Sequence, residues 1–75
     1  MNMTEIRKIL LTLESEIFGF LVDGYEILNK CDIDSEIIYE MKHKRNNALL
    51  NVIANLKFAY IKVYRNGKIC KTINF

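Results

Sequence analysis

The chain has 75 residues, with eleven Lys and Arg against nine Asp and Glu, two Cys, one His and neither Pro nor Trp. Such a length makes a single domain, residues 1–75, which buries a modest share of its surface and usually needs a partner subunit, a metal or a disulfide as reinforcement. Two cysteines without CxxC spacing and one histidine are a poor zinc set, and the longest apolar run, Ile17–Val22, is far below the roughly 20 residues that cross a bilayer.

The net charge of +2 conceals a division. Residues 1–40 hold all nine acids against only Arg7, Lys8 and Lys30, a net of −6. Residues 41–75 hold Lys42, Lys44, Arg45, Lys57, Lys62, Arg65, Lys68 and Lys71 with no acid, a net of +8. This asymmetry points either to an anionic partner or to two halves that neutralise each other. No signal-peptide pattern opens the chain. The expectation is a cytoplasmic protein with Cys31 and Cys70 as free thiols. The Ile-, Asn- and Lys-rich composition suits an AT-rich genome and, with the size, a phage or mobile-element protein acting in its host's cytoplasm.

The first predicted element is a helix over about residues 3–31. Asn2 with Glu5 three positions on reads as a capping box. Ile6, Leu10, Leu13, Ile17, Phe20, Gly24, Ile27 and Cys31 then repeat at alternating spacings of four and three, a heptad seam. A second apolar row, Leu11, Phe18, Val22 and Tyr25, lies beside it. One stripe suffices for a surface helix, so the second row is the candidate interface of a homodimer. Gly19 and Gly24 weaken this helix by about 1 kcal/mol each, and Asp23-Gly24 could instead be a break.

Cys31–Asp34 reads as a turn, with Asp34 as the N-cap of a second helix and Ile33 and Ile38 as its hydrophobic staple. Asp32-x-Asp34-x-Glu36 has the opening of a calcium loop, but Ile37 and His43 stand where the loop needs Gly and Glu, and no metal site is expected. The second helix is predicted over about 34–58 from Ile37, Ile38, Met41, Ala48, Leu49, Val52, Ile53 and Leu56. No Gly or Pro lies between Tyr25 and Asn66, and Lys, Arg, Ala and Leu favour helix. Lys42, Lys44 and Arg45 would form a basic belt midway along it. Alternatively the chain turns there and Asn46 caps a shorter helix.

The last predicted element is a β-hairpin over about 60–73. Tyr60–Tyr64 alternates, and Arg65-Asn66-Gly67-Lys68 contains the Asn-Gly turn signal. A two-residue loop sets Arg65 against Lys68 and Tyr64 against Ile69. It then sets Val63 against Cys70, Lys62 against Lys71, Ile61 against Thr72 and Tyr60 against Ile73. The Lys62–Lys71 pair is unfavourable. The expected fold is therefore α+β, two long antiparallel helices followed by a C-terminal hairpin.

No catalytic constellation is present. His43 lies among cations with no nucleophile beside it, and the three glycines form no phosphate-cradling loop. The expectation is a non-enzymatic binding protein without cofactor, small-molecule substrate or membrane. It would act as an inhibitor or adaptor on an anionic surface of a nucleic-acid-handling protein through Lys42, Lys44, Arg45, Lys57, Lys62, Arg65, Lys68, Lys71, Tyr60 and Tyr64. Two alternatives stand beside it. Residues 46–73, with Leu49, Val52 and Leu56 on a helix and Tyr60–Arg65 leading into a wing, resemble the end of a winged-helix DNA-binding domain. That resemblance implies a DNA-binding regulator. Tyr60 and Tyr64 beside Lys62 and Lys71 could also stack single-stranded nucleic acid.

Overall fold

In the computed structural model, which describes residues 2–75, one helix, α1 (Met3–Val22), precedes five strands. These are β1 (Tyr25–Ile33), β2 (Glu36–His43), β3 (Leu49–Asn55), β4 (Tyr60–Arg65) and β5 (Lys68–Asn74). The strands form one antiparallel meander in the order β1-β2-β3-β4-β5, with α1 on one face. The class is α+β, but the predicted pair of long helices is overturned. The first helix ends at Val22, and residues 34–58 form strands β2 and β3 instead of a second helix. The hairpin strands β4 and β5 are the last two of five.

Helix α1 starts as its sequence predicts: the Asn2 side chain accepts from the Glu5 N–H at 2.9 Å. It stops because Gly24 has φ +102, a conformation that favours glycine and ends helices. The Asp23 N–H donates to Gly19 O and the Gly24 N–H to Leu21 O, which satisfies carbonyls of the final turn. Beyond that point the heptad seam does not continue. Its Leu13 and Ile17, with Ile9, are buried against the sheet. Ile27 and Cys31 instead belong to an edge strand.

Alternation on the strands sorts side chains onto two faces. The helix-facing side of the three middle strands carries Met41, Leu50, Val52, Ala54, Ile61 and Val63, all buried. Residues Glu36–His43 contain two interleaved sets: Ile37, Tyr39 and Met41 turn towards α1, while Ile38, Glu40 and Lys42 turn away. Burying a core side chain of this size stabilises the fold by about 1.5–3 kcal/mol, so sheet burial outweighs the helix propensities of Lys, Arg and Leu here. Asp34 sits in the β1–β2 turn at φ 54 and is not the cap of a helix.

A register shift between Val63 and Tyr64 corrects the predicted hairpin pairing. Arg65 faces Lys68 and Tyr64 faces Ile69, but Cys70 is then an extra residue. Val63 faces Lys71, Lys62 faces Thr72, Ile61 faces Ile73 and Tyr60 faces Asn74. This bulge puts Lys62 and Lys71 on opposite faces and removes their repulsion. Lys71 reaches the helix side, where its Nζ donates to Glu16 Oε1 at 2.8 Å. Lys62 stays on the open face, with its Nζ 4.5 Å from the Tyr60 ring centroid. Among the described residues no helix is long and apolar enough to cross a membrane.

Candidate functional site

The β2–β3 and β4–β5 turns lie at the same end of the meander, together with the α1–β1 connection. The β2–β3 turn is built on His43. Its backbone N–H donates to Ala48 O at 2.9 Å, and its carbonyl accepts from the Asn47 N–H at 3.1 Å. The Arg45 N–H donates to His43 Nδ1 at 3.1 Å, so the ring proton lies on Nε2, which is 3.0 Å from Asp23 O. The imidazole also stands edge-on to the Tyr25 ring, 4.9 Å between centroids. A Cβ on Gly24 would lie 3.0 Å from Nε2, so this glycine makes room for the ring as well as ending the helix. Lys44 donates its N–H to Gly24 O at 3.0 Å, and the Ala48 N–H donates to Asn46 Oδ1.

In the neighbouring turn Asn66 and Gly67 both have positive φ, 49 and 81, the two-residue I′ form that matches strand twist. Asn66 ties this turn to the start of β3. Its N–H donates to Leu49 O at 2.8 Å, and its Oδ1 accepts from the Leu49 N–H at 3.0 Å. Lys44 and Arg45 on one turn and Arg65 and Lys68 beside the other are thus displayed by a backbone that already has its hydrogen bonds. Lys42 lies one row behind, on the open face, opposite Glu26 and Leu49. A groove of about 370 Å3 runs between Asp23, Gly24, His43, Lys44 and Arg45.

These five cations are the ones the fold gathers. Lys57 lies in the β3–β4 turn at the other end, with its Nζ 5.5 Å from the Phe58 ring centroid. Lys62 is mid-sheet on the open face between Tyr60 and Tyr64, and Lys71 is engaged by Glu16. The predicted basic belt on a rod does not exist, because Lys42, Lys44 and Arg45 occupy a strand end and a turn. Of the predicted oligomer-interface row, Leu11, Phe18 and Val22 lie on the outer surface of α1, with Phe18 67% exposed. Tyr25 is not on the helix; it is 6% exposed in the core beneath Phe20 and His43.

A second groove, about 430 Å3, opens where α1 leaves β5 uncovered, and the Glu16–Lys71 pair spans it between Phe20 and Val63. Among the described residues no cluster of three or more His, Cys, Asp or Glu side chains could hold a metal ion. The sequence pattern gives His43 no structural role. Asn-Gly marked the second turn, but nothing local announced that Asn66 would also bond to β3. No protein-family model, characterised protein or solved structure matches the chain.

Proposed function

We propose that this chain is a small non-enzymatic binding protein, a homodimer, that works in the cytoplasm as an inhibitor or adaptor. Its basic end engages an anionic surface of a nucleic-acid-handling protein, in the host's cytoplasm if the chain is phage-encoded. The observation that carries this reading is the reciprocal pair of hydrogen bonds between Leu49 and Asn66. It ties the Arg65–Lys68 turn to the start of β3, next to the Lys44-Arg45 turn, so that five cations (Lys42, Lys44, Arg45, Arg65 and Lys68) share an end with only Asp23 and Glu26 as acids. Clustered cations on a fixed backbone speed encounter with an anionic partner and set its orientation.

The test is recovery of partners from cells of the organism that encodes the chain, with and without nuclease. The wild type is compared with a variant carrying Lys44→Gln, Arg45→Gln, Arg65→Gln and Lys68→Gln. The expected result is one nuclease-resistant protein whose association with the purified chain slows at least tenfold in the variant and slows as salt rises. Equal association by the variant would sink the basic end as the binding surface.

A second reading rests on a different observation. Tyr60, Lys62 and Tyr64 alternate along β4 on the face that α1 leaves open, each partly exposed. That is an arrangement on which bases of a single strand can stack. Recovery that disappears with nuclease, and oligonucleotide binding lost in Tyr64→Ala, would favour it. The winged-helix alternative falls with the helix it required, since residues 46–58 hold β3 and its turns.

A further inference from the structure

The two edges of the sheet are unlike. Both edges carry a bulge and lysine, which discourage pairing with other chains, but β5 (Lys68, Lys71, bulge at Cys70) has no acid and would repel a copy of itself, whereas β1 (Lys30, bulge at Leu28) also carries Glu26 and Asp32. Strand β1 exposes Ile27, Leu28 and Ile33, and among the described residues its outward N–H and C=O groups meet no other strand. We infer that a second copy of this chain pairs antiparallel along β1, residue 29 to residue 33, with Cys31 at the two-fold axis. This rests on the homodimer reading and assigns its interface.

The register follows from face and charge. A two-fold between antiparallel edge strands keeps both helices on one side, so opposed side chains must share a face. The register shift between Ile27 and Asn29 divides β1. Before it Glu26 points to the open face and Ile27 to the helix side; after it Asn29, Cys31 and Ile33 point to the open face, and Lys30 and Asp32 to the helix side. Registers that oppose Glu26 to Lys30 or Ile27 to Ile33 mismatch faces and fail. Centring on Lys30 sets two ammonium groups against each other. Centring on Cys31 opposes Lys30 to the copy's Asp32 twice, and Asn29 to Ile33 twice, all on matching faces. Among the described residues neither Lys30 nor Asp32 forms an ion pair; the Lys30 Nζ rests 5.6 Å from the Tyr39 ring centroid and would turn from it to the copy's Asp32. The apolar row on α1 offers no such match. Pairing that sets Leu11 on the copy's Phe18 centres between residues 14 and 15 and brings two Glu14 carboxylates beside the axis.

The test uses the full chain, sedimentation equilibrium and a short bis-maleimide cross-linker. Cross-linked dimer is expected in wild type and Cys70→Ser, and not in Cys31→Ser. Lys30→Asp and Asp32→Lys should each weaken the dimer about tenfold, because each replaces two attractive cross-strand pairs with two repulsive ones. The double variant Lys30→Asp with Asp32→Lys should recover the wild-type association. A monomer at high micromolar concentration would remove both the homodimer and this interface. A dimer that ignores the charge changes but is lost in Phe18→Glu would keep the homodimer and overturn the β1 edge. Cys31–Cys70 cross-links with higher oligomers would also overturn it, since they report head-to-tail pairing of β1 with β5.

Discussion

At the end of the sheet that holds the β1–β2 and β3–β4 turns, one buried side chain does most of the closing. Asn55, 7% exposed, accepts from the Lys57 and Phe58 N–H groups at 3.0 and 2.7 Å through Oδ1 and donates through Nδ2 to Glu36 Oε2 at 3.1 Å. The Leu56 N–H donating to Ser35 O and the Phe75 N–H donating to Ala59 O tie the neighbouring segments to it. At the opposite, basic end no buried polar residue plays this part among the described residues. The work is shared among Asn46, Asn66 and His43, whose turn bonds are all exposed. Water can replace an exposed bond far more cheaply than a buried one. The basic end therefore holds its shape by many small contributions and keeps its polar surface accessible, while the other end concentrates stability in one residue.

This contrast predicts a ranking. Asn55→Ala should be the most damaging turn substitution, costing about 2 kcal/mol, because it leaves two N–H donors and a carboxylate oxygen without their partner in a part-buried setting. Urea unfolding would measure it, and a loss below about 0.5 kcal/mol would show that water replaces Asn55 readily. His43→Ala should cost less, about 1.5 kcal/mol, since it removes the acceptor for Arg45, the donor to Asp23 O and the edge contact on Tyr25. The same unfolding series measures this variant. If His43→Ala exceeded Asn55→Ala, the basic end would be the more concentrated of the two.

The same turns explain which parts of the fold were legible in the sequence. Asn2 reads as a cap and Leu13 and Ile17 lie on the seam, although Ile9, the helix residue buried deepest, lies off it; Asn66-Gly67 is a direct statement of a hairpin. Gly24 was visible as a break, but the heptad spacing carried across it into β1. Residues 34–58 read as helix because their turns lack Gly and Pro. Asp34, Asn47 and Ala59 take positive φ instead; Asp and Asn tolerate that conformation, and Ala gives no signal of it. The β-branched and aromatic content of Ile37, Ile38, Tyr39, Val52 and Ile53 favours strand and was the better guide. The basic site was legible as composition only. Which cations share an end depends on the meander and on the bulge at Cys70, and neither is local.

A milder substitution isolates one shared contribution. Asn66→Gly keeps the positive φ of the turn and deletes only the bond from the Leu49 N–H to Oδ1. The expected loss is about 0.5–1 kcal/mol. Amide exchange should rise at Leu49 and not at Asn55. Faster exchange at both would mean that the two ends open together.

The smallest effect on stability, and the most informative about function, concerns the cations themselves. Lys44, Arg45, Arg65 and Lys68 are exposed, and none of them forms an ion pair among the described residues. Their mutual repulsion should cost the free protein a few tenths of a kcal/mol at low ionic strength, comparable to other exposed charge pairs. Salt shortens the reach of that repulsion to about 10 Å at 0.1 M and about 3 Å at 1 M. The variant with all four changed to Gln should therefore be slightly more stable than wild type in dilute buffer. In 1 M salt the two should be indistinguishable, even though the variant binds its partner more slowly. A binding surface is expected to behave this way, with repulsion in the free protein that a partner's negative charge relieves. If the variant were instead less stable in dilute buffer, the cations would be held by favourable interactions with Asp23 and Glu26 at the same end. The basic end would then be a structural feature, and the search for the binding face would move to Tyr60, Lys62 and Tyr64.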